Sequence, residues 1–230
     1  MYYIKILILS MNTFFIYSQL LFVSCGFTNS IVKQQFKYYC LSPNIKNNIL
    51  YNNNMPILYS NIKSKNNIYS IEHICPISYL ITNESKIDMH NLIKTKKEIN
   101  NARSNYKYSD HEELNYNNLH NNWIKLENNN YVNHKKKKFI PNDESKGLIS
   151  RALLYIHDKY NIDIYNIIDN DVLIKWYISF PPNENEKYHN NYILNIQNTN
   201  NKYISNYKYY REKIYKKIKN KDKDNLNLFK

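Results

Sequence analysis

Apolar positions along the chain follow helical spacing in some stretches and none in others. Over 147–160, GLISRALLYIHDKY sets Leu148, Ile149, Ala152, Leu153 and Ile156 on one stripe, which predicts an amphipathic helix. A second helix is expected over 169–179, with Trp176 on its buried side. From Leu92 to Tyr106 no Gly or Pro intervenes, and Leu92, Ile99 and Ala102 fall near one face, so a third helix is expected there. Residues 69–80 read as extended, because Pro76 disfavours a helical residue before it. Residues 27–68 hold Asn runs with Pro43 and Pro56 interrupting any period, and read as a weakly structured leader. Residues 109–138 read as low-complexity loop, ending in a Lys run at 135–138 of the kind that forms a solvated tether. The tail over 205–230 is basic, with a helical pattern that frays toward its end.

The first thirty residues carry one charge, Lys5, and the apolar run ILILSMNTFFIYSQLLFVSCG. With small residues at Ser24–Gly26 this reads as a signal peptide over 1–26, a retained anchor or a lipoprotein-type signal ending at Cys25 being the alternatives. No Asp or Glu occurs in residues 1–71, while Lys33, Lys37, Lys46, Lys63 and Lys65 follow the apolar run. That pattern is similar to a two-part plastid transit peptide. Entry to the secretory route is therefore expected, with secretion as the outcome and a secondary plastid as the alternative. No stable membrane association is expected once the signal is removed.

Length and charge narrow the partners. The 230 residues suit one domain with extensions, and a net charge of +13 suits a polyanion, either nucleic acid or an acidic membrane surface. A drift toward Lys and Asn codons explains the charge equally well. Against that drift the rare residues stand out: glycine only at Gly26 and Gly147, alanine only at Ala102 and Ala152, arginine only at Arg103, Arg151 and Arg211. Cys40 and Cys75 either pair or stay free, and their spacing does not suit zinc.

An acid and a base stand together in IEHICPIS at 71–78. DMHNL follows at 88–92 and NNARSNY at 100–106; later come FIPNDESKGLISRALLYIHDKY at 139–160 and QNTNNKYI at 197–204. This ordered set resembles the endonuclease I family, non-specific nucleases with a ββα-metal (His-Me finger) site, over residues 69–204. The resemblance implies an α+β fold, mostly helical, with a small ββα-metal core. It implies an endonuclease that cuts DNA, RNA being a second possible substrate, using Mg²⁺ with Mn²⁺ or Ca²⁺ as substitutes. A monomer is expected.

Phosphodiester hydrolysis needs a base for the attacking water and a cation for the charge that builds on phosphate. His73 is the natural base, since neutral imidazole is available near neutral pH. Glu72 and Asn100 offer hard oxygens for the cation. Arg103, one turn beyond Asn100, holds phosphate or braces the site. Neighbouring strand residues point to opposite faces, so Glu72 and His73 share one site only at a distorted strand end, near Pro76. Asp88, His90 and Asn91 are expected to fix a loop. Arg151 is either a core-edge ion pair or a phosphate clamp, and Lys86 and Lys97 are further candidates for nucleic-acid contact.

This chain departs from the family pattern at several points. Asn101 and Asn198 stand where relatives carry glycine, and Asn best tolerates the left-handed backbone that glycine supplies. Lys86 stands where many relatives place an acid, Lys202 replaces a proline, and the 78–88 loop is short. A non-catalytic nucleic-acid-binding protein of the same fold is the rival reading.

Overall fold

The computed structural model describes residues 42–52, 54–60, 68–114 and 122–227, with side chains through residue 218. The signal and transit readings, and Cys40, lie outside these residues. The unit running from Pro43 to Lys230 begins with α1 (Pro43–Leu50), which buries Ile49, and the short strand β1 (Ile57–Leu58). β2 (Tyr69–His73) follows, and at Pro76 the chain turns into a 3₁₀ turn over Ile77–Tyr79. Thr82 caps α2 (Asn83–Ile87) by accepting from Ser85 N, and Asp88 caps the next 3₁₀ turn by accepting from His90 N. Then come β3 (Leu92–Lys96) and α3 (Lys97–Arg103).

β3 is the centre of a sheet of order β1-β3-β2. It runs parallel to β1 and antiparallel to β2, in register from Tyr69↔Lys96 to His73↔Leu92. β2, β3 and α3 thus form a strand–strand–helix unit. The helix expected over 92–106 is corrected: its first five residues are strand, and helix covers only Lys97–Arg103. Every residue of β3 is buried, and two flanking strands satisfy its backbone, which outweighs the mere absence of helix breakers. Within the stretch read as a weakly structured leader, the described residues of 42–60 are corrected, since α1 packs on β2 and β3, and β1 completes the sheet.

The stretch read as loop over 109–138 builds most of a second sheet. Its strands are β4 (Lys107–Tyr108), β5 (Ile124–Lys125), β6 (Tyr131–Asn133) and β7 (Lys138–Ile140), in order β4-β7-β6-β5. The Lys run is no tether. Residues 134–137 form the turn between β6 and β7, with Lys137 left-handed (φ 53°), and Lys138 pairs with Glu113 at 2.6 Å.

α4 (Asp143–Tyr160) buries Ile149, Ala152, Leu153 and Ile156, the stripe that its spacing predicts. α5 (Asn170–Ser179) sets Trp176 fully inside. Burial of each such large side chain is worth about 1.5–3 kcal/mol. The rare Gly147 has a packing cause: a Cβ there would collide with Phe180 O, where the end of α5 meets α4. α6 (Glu184–Gln197), α7 (Lys202–Ser205) and α8 (Tyr207–Asn227) close the chain. α8 starts anchored, its Tyr207 hydroxyl bonded to the carbonyls of Tyr177 and Ile178. The fold is α+β and mostly helical. Among the described residues no helix is long and apolar enough to cross a membrane.

Candidate active site

Alternation along β2 sends Ser70 and Glu72 to the face that carries α3, and His73 to the other. On the α3 side, Asn100 Nδ2 donates to Ser70 Oγ at 2.9 Å and to Ile71 O at 3.1 Å. One helical turn later, Arg103 Nη1 stands 3.0 Å from Glu72 Oε1 and donates to His73 O at 3.2 Å. Arg103 Nη2 donates to Ile74 O at 2.9 Å, and the guanidinium lies over the Tyr108 ring, 4.5 Å from its centroid. A second donor, the Tyr59 hydroxyl, reaches the same carboxylate, at 3.2 Å from Glu72 Oε1. Burial pushes the Glu72 carboxyl up to about 7, with Arg103 and then Tyr59 restraining the rise.

His73 behaves differently. Its Nε2 lies 3.0 Å from Lys86 O, and a carbonyl can only accept, so Nε2 carries the proton and Nδ1 the lone pair. Burial lowers its pKa to about 4, the Lys86 bond working against that fall and the Arg103 charge adding to it. The ring is neutral at physiological pH. The distorted strand end expected for this pair is corrected: β2 keeps its register through His73, and the bend begins only at Ile74. Glu72 and His73 leave on opposite faces of the strand's last two residues, with Arg103 tied to the carboxylate of one and the carbonyl of the other.

The donors left over decide whether these residues suit a cation. Both protein contacts to Glu72 fall on Oε1, and both side-chain bonds of Asn100 fall on its nitrogen. Among the described residues, Glu72 Oε2 and Asn100 Oδ1 enter no hydrogen bond, and neither is a buried orphan. Two hard oxygens on the side of β2 that carries α3 are of the donor type that Mg²⁺, Mn²⁺ or Ca²⁺ accept. The residues fit such an ion. They do not fit zinc: among the described residues no group of three His, Cys, Asp or Glu is placed to hold a metal, and His90 Nε2 is bonded to Thr199 O. Cys75 is a buried free thiol, pushed up by burial to about 12.

Loop residues spend their polar groups on the loop. Asn91 pairs with Cys75 as a strand neighbour would, Oδ1 accepting from Cys75 N at 2.7 Å and Nδ2 donating to Cys75 O at 3.0 Å. Asp88 accepts from Tyr155, Lys159, Tyr160 and Gln197, so it ties the loop to α4 and to the closing segment. Burial works against its carboxylate, but the bonds from Lys159, Gln197 and Tyr160 outweigh burial and hold the pKa below the usual range. Asn198 takes the left-handed conformation, φ 54°, that glycine gives elsewhere. Asn101 is different: it sits inside α3, and the positive φ of 53° falls at Ser104.

Three candidates change character. Arg151 is not a phosphate clamp: it is 1 % exposed, and its Nε and Nη2 grip Glu186, each at 2.6 Å, while Nη1 binds Phe180 O. Arg103 is likewise buried and acts as a brace. Lys86 meets the site through its backbone carbonyl, so the identity of its side chain does not set that bond. Lys97 remains exposed in the first turn of α3. Tyr59 and Tyr108 are hidden among 24 tyrosines, and only the pairing of β1 brings Tyr59 to the acid.

Among curated proteins none matches this chain. A family model, Endonuclease I, matches residues 21–208. That span holds β2, β3, α3 and the closing segment that locks onto Asp88, and the chain belongs to the endonuclease I family.

Proposed function

We propose that this nuclease is a divalent-cation-dependent endonuclease that hydrolyses DNA phosphodiesters without sequence preference, RNA being a second substrate to test. One observation carries the reading: at the end of β2 two oxygens, Glu72 Oε2 and Asn100 Oδ1, are left without a hydrogen bond among the described residues, and the next residue along the strand is a neutral histidine whose tautomer a carbonyl fixes. His73 takes the proton of the attacking water at Nδ1 while the Lys86 carbonyl keeps the ring from rotating. Glu72 and Asn100 would hold the cation, Mg²⁺ by the hardness of the donors, with Mn²⁺ or Ca²⁺ as substitutes. When bound, it offsets charge building on the phosphate and the leaving oxygen. Arg103 positions Glu72 and the strand end and touches no substrate.

Affinity comes from lysines rather than from base contacts. Lys97, Lys135, Lys136 and Lys137 are exposed, as are Lys208, Lys213, Lys216 and Lys217 on α8. Phosphate contacts of this kind are blind to sequence. We take the protein to act as a monomer beyond a secretory membrane, with a secondary plastid as the alternative destination, on the strength of the apolar N-terminal run.

Supercoiled plasmid incubated with the purified chain tests the reading. Nicking in Mg²⁺ that stops in EDTA is the expected result. Cleavage that continues in EDTA removes the cation from the account. Salt-sensitive binding with no cleavage in Mg²⁺, Mn²⁺ or Ca²⁺ establishes the non-catalytic rival.

A further inference from the structure

Seven non-glycine residues among those described have positive φ, and four of them are Asn. Tyr59 is the aromatic one, at φ 63°. Only a small polar side chain takes that conformation readily, and strained backbone persists where its surroundings over-determine it. Two side chains remote in sequence do so here. Tyr59 N donates to Ser145 Oγ at 2.8 Å, and Tyr59 O accepts from Asn130 Nδ2 at 2.9 Å.

The strain has a readable product. The fully buried Tyr59 ring packs edge-on against Phe139, ring centroids 4.9 Å apart, and its hydroxyl reaches two groups. One is Glu72 Oε1 at 3.2 Å, the other Tyr108 OH at 2.8 Å. Tyr108 OH in turn lies 3.3 Å from Ile74 O. The two phenols therefore span the carboxylate and the Ile74 carbonyl that Arg103 grips from its own side. A carboxylate oxygen only accepts, so the Tyr59 hydroxyl is the donor to the acid.

We propose that Tyr59 is a positioning residue for Glu72: its hydroxyl and Arg103 together pin Oε1, which leaves Oε2 turned to the cation. The proposal rests on the reading of Glu72 as a cation ligand. Without the Tyr59 hydroxyl the carboxylate is free to turn both oxygens onto the Arg103 fork, the geometry that guanidinium prefers. Oε2 is then withdrawn from the ion.

The test measures Mn²⁺ binding to the full chain without DNA, from the electron paramagnetic resonance signal of free Mn²⁺, beside melting temperature and cleavage against Mg²⁺ concentration. Tyr59→Phe keeps the ring and removes only the hydroxyl. Its Mn²⁺ affinity should fall roughly tenfold, the worth of one hydrogen bond to a charged group. Its melting temperature should stay near wild type, and its cleavage rate should recover at saturating Mg²⁺. A folded Tyr59→Phe with wild-type Mn²⁺ affinity overturns the proposal. Tyr108→Phe leaves Tyr59 in place and removes its hydroxyl partner; a smaller loss of affinity is expected, and it decides the matter should Tyr59→Phe not fold, an unchanged value counting against the proposal. A wild-type chain that binds no Mn²⁺ overturns the reading of Glu72 itself, a result that the variants alone cannot produce.

Discussion

Arg103 Nη1 lies 3.0 Å from Glu72 Oε1, and the two side chains are 1 % and 3 % exposed. A pair this deep need not stabilise the fold more than apolar residues would, because both charges lose their water. Its value lies in placement: the same guanidinium holds the carbonyls of His73 and Ile74, so acid, base and strand end move as one piece. Arg103→Ala leaves a carboxylate buried alone and should cost about 3–5 kcal/mol in urea unfolding. A loss within about 0.5 kcal/mol, the range of ordinary surface changes, contradicts the brace.

The base is tested by separating side chain from backbone. His73→Ala should lower turnover by ~10²–10⁴-fold with fold and DNA affinity intact. Lys86→Ala should leave turnover near wild type, because the bond to His73 comes from the carbonyl. A large loss of turnover at constant DNA affinity in Lys86→Ala speaks against a backbone role.

The pH profile distinguishes ligand from base. The Glu72 carboxyl, raised to about 7 by burial, must lose its proton to serve a cation, so protons compete with Mg²⁺ below that pH. His73, lowered to about 4, stays neutral across the same range. The acid limb of the rate should therefore fall near pH 7 at low Mg²⁺ and move to lower pH as Mg²⁺ is raised. A limb that ignores Mg²⁺ assigns it to a different group.

Stability should fail in acid for a separate reason. Asp88 and Asp110 both have pKa values below the usual carboxylate range; burial opposes this, but the bonds from Lys159, Gln197 and Tyr160 and from Lys146 and Lys175 outweigh it. A depressed carboxylate stabilises the fold fully above its unfolded pKa of about 3.9 and loses that contribution as pH falls through the folded value. Melting temperature should thus drop steeply below about pH 4. Asp88→Asn should lower it at neutral pH and flatten the slope. An unchanged slope in that variant removes Asp88 from the acid response.

Glu72, His73, Asn100 and Arg103 stand out as candidates in the sequence because they are local: two neighbours before a proline, and two residues one helical turn apart. The helix α4 is legible because a single buried stripe leaves a period. The strand β3 is not, because a strand buried on both faces shows no alternation, and Lys94 and Lys96 there bury their stems while their ammonium groups reach Leu50 O and Glu127. Arg151 was ambiguous because its partner Glu186 lies 35 residues away. The contact of Tyr59 with Glu72 was invisible because it depends on a left-handed backbone at Tyr59 held by Ser145 and Asn130.

Asn100 offers the most direct test of the central claim, that the end of β2 is a cation site serving hydrolysis. Cleavage of saturating DNA, followed across a Mg²⁺ titration for wild type, Asn100→Ala and Asn100→Asp, measures it with DNA affinity recorded alongside. Asn100→Ala should need at least ~10-fold more Mg²⁺, as loss of a ligand oxygen implies. Asn100→Asp, which keeps an oxygen there, should recover part of the loss, and DNA affinity should be the same in all three. Wild-type Mg²⁺ dependence in Asn100→Ala, or undiminished cleavage by the wild type in excess chelator, would contradict the account.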